Sequence, residues 1–163
     1  MKNIINIIFI ALFIFPDSVF SQVAKVSINK TSNGFQLIKN DAPYYIKGAG
    51  AKSNFKKVVE SGANSIRIWS TNKSELLDSA YNYNLSVCLG IWVAQERNGF
   101  NYNDEYNVRS QIELIKKEIL RLKDHPSVIL WGIGNEVDLQ YSNFKVWETI
   151  EEIAKFIKKV DPN

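Results

Sequence analysis

The sequence predicts an α/β fold: four strand–helix units, (βα)4, forming the N-terminal half of a (β/α)8 barrel and preceded by a short β-hairpin. Three observations lead there. From about residue 44, apolar segments alternate with amphipathic ones in strand–helix order. The strand segments are almost continuously apolar, as parallel strands covered by helices must be. No phosphate-cradling loop follows the first of them, because "GAGAKS" at 48–53 has neither the GxGxxG nor the Walker spacing. That argues against a doubly wound nucleotide-binding sheet and leaves the barrel. A complete barrel takes about 250 residues, and this chain has 163.

Residues 1–21 read as a secretory signal peptide, with Lys2 before the apolar run "IINIIFIALFIF" and small residues at Val19 and Ser21 for cleavage. The run is too short, and too soon broken by Pro16 and Asp17, for a stable membrane span. The product is therefore expected to be exported: periplasmic, cell-surface or extracellular. Residues 22–43 form the hairpin entrance, where "KVSIN" and "GFQLI" alternate apolar with polar around the turn "KTSNG". Residues 44–163 are the half barrel.

Within it, "YYIKGAG" is the first strand, closing on glycines. "SNFKKVVES" follows as a helix capped by Ser53 or Asn54 and ended at Gly62. "NSIRIWS" is the second strand, and its helix runs from about Ser74 to Tyr83 with Leu76, Leu77 and Ala80 on one face. "LSVCLGIWV" is the third strand, followed by the polar loop "AQERNGFNYNDE" and a strongly amphipathic helix carrying Ile112, Ile115, Ile119 and Leu122. "SVILWGIG" is the fourth strand. "SNFKVWETIEEIAKFIKKV" is the fourth helix, capped by Ser142 or Asn143.

Composition removes several classes of chemistry. The net charge is only +3, and pairs such as Lys56–Lys57, Lys116–Lys117 and Lys158–Lys159 are spread among acids on helix faces. No basic block suggests a nucleic acid. A single cysteine, Cys88, cannot form an internal disulfide and reads as a buried small hydrophobe. A single histidine, His125, rules out a His-cluster zinc site and the HExxH motif. It precedes the fourth strand, at the end of a barrel that serves stability. Nothing in the residues calls for a cofactor or a metal.

In a parallel barrel the working groups lie at the C-terminal ends of the strands. The candidates there are Lys47 with the glycines after strand one; Arg67, Trp69 and Ser70 on strand two; Trp92, Gln95 and Glu96 after strand three; Asn135 and Glu136 after strand four. Arg67 and Trp69 share the face opposite Ile66 and Ile68. An arginine flanked by aliphatic residues needs an anion, supplied either by the site or by a loop carboxylate. Trp69 and Trp92 either stack on a sugar face or pack into the core, while Trp131 and Trp147 read as core. Glu136 is the sharpest feature, because an apolar strand that ends in Asn–Glu delivers a costly carboxylate to one spot.

"GANSIRIWS" followed by "HPSVILWGIGNEV" resembles the second- and fourth-strand signatures of the clan A glycoside hydrolases, which are TIM barrels. The nearer likeness is to the barrel domain of glycoside hydrolase family 2, with β-1,3-glucanosyltransferases a weaker one. The similarity covers roughly residues 35–163 and includes "YYIKGAG" as the first barrel strand. The resemblance implies a retaining glycosidase acting on O-glycosidic bonds of an oligo- or polysaccharide. Glu136 would be its general acid/base, Asn135 the group binding the sugar 2-hydroxyl, and Arg67 the support of the nucleophile. That nucleophile is a glutamate on strand seven, which these four strands lack. The expected partners are thus a carbohydrate and the missing C-terminal half of the barrel. Two other outcomes remain open: a transglycosylase using the same residues, or a half-barrel remnant that binds sugar without turnover.

Overall fold

The computed structural model describes residues 22–162, so the signal peptide expected at 1–21 lies outside the described residues. Two sheets are present among the described residues. In the first, β1 (Val26–Thr31) and β2 (Gly34–Lys39) form an antiparallel hairpin, and β3 (Ala42–Pro43) adds to β2 as a third short strand. In the second, β4 (Gly48–Gly50), β5 (Ser65–Ile68), β6 (Ser86–Ile91) and β7 (Val128–Ile133) lie parallel, in sequence order. Sequential order without reversal is the winding of a barrel, whereas a doubly wound sheet changes direction at a switch point. Four helices cross between the strands or follow them: α1 (Phe55–Glu60), α2 (Glu75–Asn82), α3 (Glu105–Leu122) and α4 (Lys145–Val160).

The core lies between the sheet's outer face and the helices. Ile66 and Ile68 of β5 and Val87 and Leu89 of β6 pack against Phe55, Leu77, Ala80 and Leu122. Further along, Ile91 and Val93 meet Ile115, Ile119, Val146, Ile153 and Ile157. Each such side chain, fully buried, contributes roughly 1.5–3 kcal/mol relative to exposure. Alternation then sends Arg67, Cys88 and Trp92 to the opposite, inner face, which the remaining strands of a barrel would enclose.

Several sequence expectations need correction. The first barrel strand is shorter than "YYIKGAG": only Gly48–Gly50 pairs with Ser65–Arg67. Tyr44 leaves the strand because its hydroxyl bonds the Asn64 carbonyl and the Ser65 and Ser86 hydroxyls. Helix caps differ too. α1 begins after Asn54, whose φ is 58°, and neither it nor Ser74 makes a side-chain cap bond. α4 begins two residues after Asn143, whose Oδ1 accepts from the Lys145 N–H at 3.0 Å. α3 starts at Glu105 because the Asp104 side chain accepts from the Asn107 N–H. Trp147 is 38% exposed rather than core, since the buried stripe of α4 runs through Val146, Thr149, Ile153 and Ile157. Trp131 is half-buried and donates its indole N–H to Asp161 at 2.7 Å. Cys88 is half-buried on the inner face; desolvation pushes its thiol pKa up, partly offset by the Arg67 charge.

Candidate functional site

The site is assembled where β5, β6 and β7 end. β7 continues its ladder one residue further, the Gly134 N–H donating to the Ile91 carbonyl at 2.9 Å. The backbone then turns sharply. Gly134 adopts φ 75°, and a side chain there would collide with Val137. Glu136 itself sits at φ 50°, the left-handed region that non-glycine residues seldom occupy. Asn135 and Glu136 are thereby delivered to the rim, with the Glu136 side chain 62% exposed.

Arg67 reaches the same rim from β5. Its Nη2 donates to the Asn135 Oδ1 at 3.3 Å, and its guanidinium lies 5.4 Å from the Trp69 ring centroid. No carboxylate partners Arg67 among the described residues, so the expected anion is replaced here by an amide and an aromatic face. The Trp69 indole lies across the end of β4. Gly50 makes room for it, since a Cβ there would stand 2.4 Å from the indole. Gly90 does the same beneath the Trp69 backbone. Trp92, at the end of β6, is 50% exposed and therefore not core.

The loop after β6 contributes what the sequence concealed. Gln95 is 2% exposed; its amide N–H donates to the Asn135 carbonyl at 2.5 Å, and its Oε1 accepts from Arg97 Nε at 3.0 Å and Asn98 Nδ2 at 2.7 Å. Arg97 then donates from Nη2 to the Glu136 Oε2 at 2.9 Å. The neighbouring Glu96 turns the other way. It accepts the backbone N–H groups of Ser142 and Asn143 at 2.6 and 2.9 Å, and these bonds, Asn143's first, hold its carboxyl below the usual range. Two residues of one short helical turn (Glu96–Asn98) thus pin both ends of the β7–α4 loop. Glu96, a candidate from its place after strand three, is a clamp on the loop rather than a second carboxylate facing Glu136.

His125 behaves as its position requires. At the opposite end of β7 its Nδ1 meets Ser127 and its Nε2 lies 3.2 Å from Asp78, tying α2 to the strand entrance. Lys47, expected at the C-terminal strand ends, instead precedes β4, its backbone bonded to Asn64 and Ser65 at the entry of β5, so it lies away from the site.

Residues 62–163 match the family model described as glycosyl hydrolases family 2, TIM barrel domain, more than half of the chain. Solved structures share the fold. The β-glucuronidase of Ruminococcus gnavus, in complex with a C6-substituted uronic isofagomine, aligns with TM-score 0.64 at 20% identity over 85% of this chain and 26% of its own. The Bifidobacterium dentium β-glucuronidase complexed with coumarin-3-O-glucuronide gives 0.65 at 17% identity, over 85% and 25%. The Faecalibacterium prausnitzii β-glucuronidase gives 0.60 at 19%, over 85% and 26%. The chain spans about a quarter of the length of these structures.

Proposed function

The chain belongs to glycosyl hydrolase family 2, and from that premise we propose that it carries the acid/base half of a retaining glycosidase acting on O-glycosidic bonds. The observation that carries this reading is Glu136 at the open C-terminal end of β7, one oxygen held by Arg97 and the other, Oε1, accepting no hydrogen bond among the described residues.

The chemistry follows in two displacements. A carboxylate on a later strand than these four attacks the anomeric carbon, about 5–5.5 Å from the acid/base in retaining enzymes. As the glycosidic C–O bond breaks, Glu136 gives its proton to the departing oxygen. Water then attacks the glycosyl–enzyme ester and Glu136 takes back a proton, restoring both carboxyl groups. Asn135, steadied by Arg67 through its Oδ1, offers its amide N–H groups to the sugar 2-hydroxyl. The remaining Arg67 donors, on the inner face of the sheet, are available to support the nucleophile of a completed barrel. Trp69 and Trp92 supply the ring faces on which a sugar stacks. The apolar run at 1–21, read as an export leader, supports a reaction outside the cytoplasm.

The test is a series of aryl glycosides, of graded leaving-group basicity, hydrolysed by the completed barrel and its Glu136→Ala form. The substitution should cost roughly 10²–10⁴-fold on the most basic leaving groups and far less on activated ones. Equal losses across the series would remove Glu136 from the acid/base role.

A further inference from the structure

We propose that Arg97, locked in place by the buried amide of Gln95, is the positioning residue that decides which oxygen of Glu136 carries the transferred proton. This rests on reading Glu136 as the acid/base. An ordinary surface ion pair contributes little and leaves both partners mobile. The Arg97–Glu136 pair is built differently. Arg97 is only 19% exposed at its side chain, and its Nε is bound to the Oε1 of Gln95, itself 2% exposed. The guanidinium is planar, so fixing Nε also fixes the direction in which Nη2 points.

Gln95 is fixed in turn, because its N–H donates to the carbonyl of Asn135, the residue before Glu136. The buried amide therefore holds the Glu136 side chain through Arg97 and the adjoining backbone directly. Glu136 meets this arrangement at φ 50°, an unfavourable backbone for a glutamate, as expected where a side chain's direction outweighs backbone preference.

The chemical consequence concerns the two oxygens. Oε2 accepts the guanidinium N–H at 2.9 Å. A carbonyl oxygen is a better acceptor than a carboxylic-acid hydroxyl, so a guanidinium on Oε2 favours the proton on Oε1. Arg97 thus orients the acid so that its one O–H is left on the oxygen without a protein partner, and it returns the carboxylate to the same pose for the second step. Without Arg97, either oxygen can hold the proton and the side chain can turn away.

Kinetics of the completed barrel on the same aryl glycoside series test this, with Arg97→Ala, Arg97→Lys and Asn98→Ala beside Glu136→Ala. Arg97→Ala should lose about 10²-fold in kcat on the most basic leaving group, where protonation matters, and only about 3-fold on the most activated, with KM little changed. Arg97→Lys should recover a minor part, since a freely rotating ammonium lacks the planar fork that fixes one direction. Asn98→Ala removes the other bond to Gln95 Oε1 and should leave the leaving-group dependence intact. Wild-type behaviour of Arg97→Ala, full recovery in Arg97→Lys, or the same uniform loss in Arg97→Ala and Asn98→Ala would each overturn the proposal. If Glu136→Ala keeps its leaving-group signature while Arg97→Ala lacks one, only the role of Arg97 fails. If Glu136→Ala lacks it too, the acid/base reading falls, and this proposal with it.

Discussion

At the lower end of the parallel sheet, Tyr44, Ser65, Ser86 and Lys39 bond to one another and to backbone; at the upper end, Arg67, Trp92 and Glu136 stand half-open around the strand termini. The lower cluster is closed. Lys39 donates to the Ser86 hydroxyl at 2.7 Å and lies over the Tyr44 ring, so the hairpin sheet is fastened beneath the strands. Ser65 and Ser86 are buried polar side chains whose hydroxyls are all matched. Buried polar groups satisfied this way contribute to a unique fold and offer nothing to a ligand. The upper cluster is fixed from behind by Gln95 and Glu96, yet its outward groups keep free donors and acceptors. One end of the sheet is closed by its own hydrogen bonds, and the other leaves donors and acceptors open.

If that contrast is right, substitutions at the two ends should separate activity from stability. Beyond Glu136 itself, the largest effect is expected from Arg67→Ala in the completed barrel. Turnover should fall roughly 10²–10³-fold, the scale of removing one electrostatic donor at a reacting centre, while the melting temperature stays close to wild type. Arg67→Lys should rescue little, because a point charge cannot reproduce the fork. Near-wild-type turnover in the alanine form would take Arg67 out of the site.

The converse change is Tyr44→Phe at the lower end. It removes a hydroxyl that serves Asn64, Ser65 and Ser86 and leaves their atoms short of a partner. Denaturant unfolding should show about 1–3 kcal/mol lost, with kcat and KM unchanged. A fall in kcat without loss of stability would erase the distinction between the ends.

How much of this was legible in the sequence depends on the range of each interaction. The alternation of Ile66 and Ile68 with Arg67 and Trp69, and the apolar run ending at Asn135–Glu136, are local patterns that map directly onto strand faces and strand ends. The Gln95–Arg97 support was not legible. It sits in a polar loop with no periodicity, and Arg97 meets a carboxylate 39 residues away. Tyr44 was misread for a similar reason: its alternation with Ile46 looks like a strand, but its hydroxyl is claimed by residues 20 to 42 positions later. Trp147 could have been placed correctly, since it lies about 100° around the helix from Val146 and off the stripe of Ile150, Ile153 and Ile157.

A smaller, pH-dependent effect should appear at Glu96. Its carboxyl is held low by the Asn143 and Ser142 backbone N–H groups, so it stabilises the fold above its unfolded pKa, and that contribution is lost as pH falls through the lower folded value. Glu96→Gln should therefore melt below wild type at neutral pH, with the gap narrowing as the solution is acidified below the ordinary glutamate range. A gap that stays constant from neutral to acid would show that the Glu96 charge does not hold the loop.

The central claim, that Glu136 works at the open end as acid and then base, is tested most directly by azide added to the Glu136→Ala form of the completed barrel, with an activated aryl glycoside as substrate. The nucleophile still forms the glycosyl–enzyme ester, and azide, needing no base, replaces water in the second displacement. Nuclear magnetic resonance of the product should show a glycosyl azide with the anomeric configuration of the substrate. No azide product, or one of inverted configuration, would contradict the assignment of Glu136 as the acid/base of a double displacement.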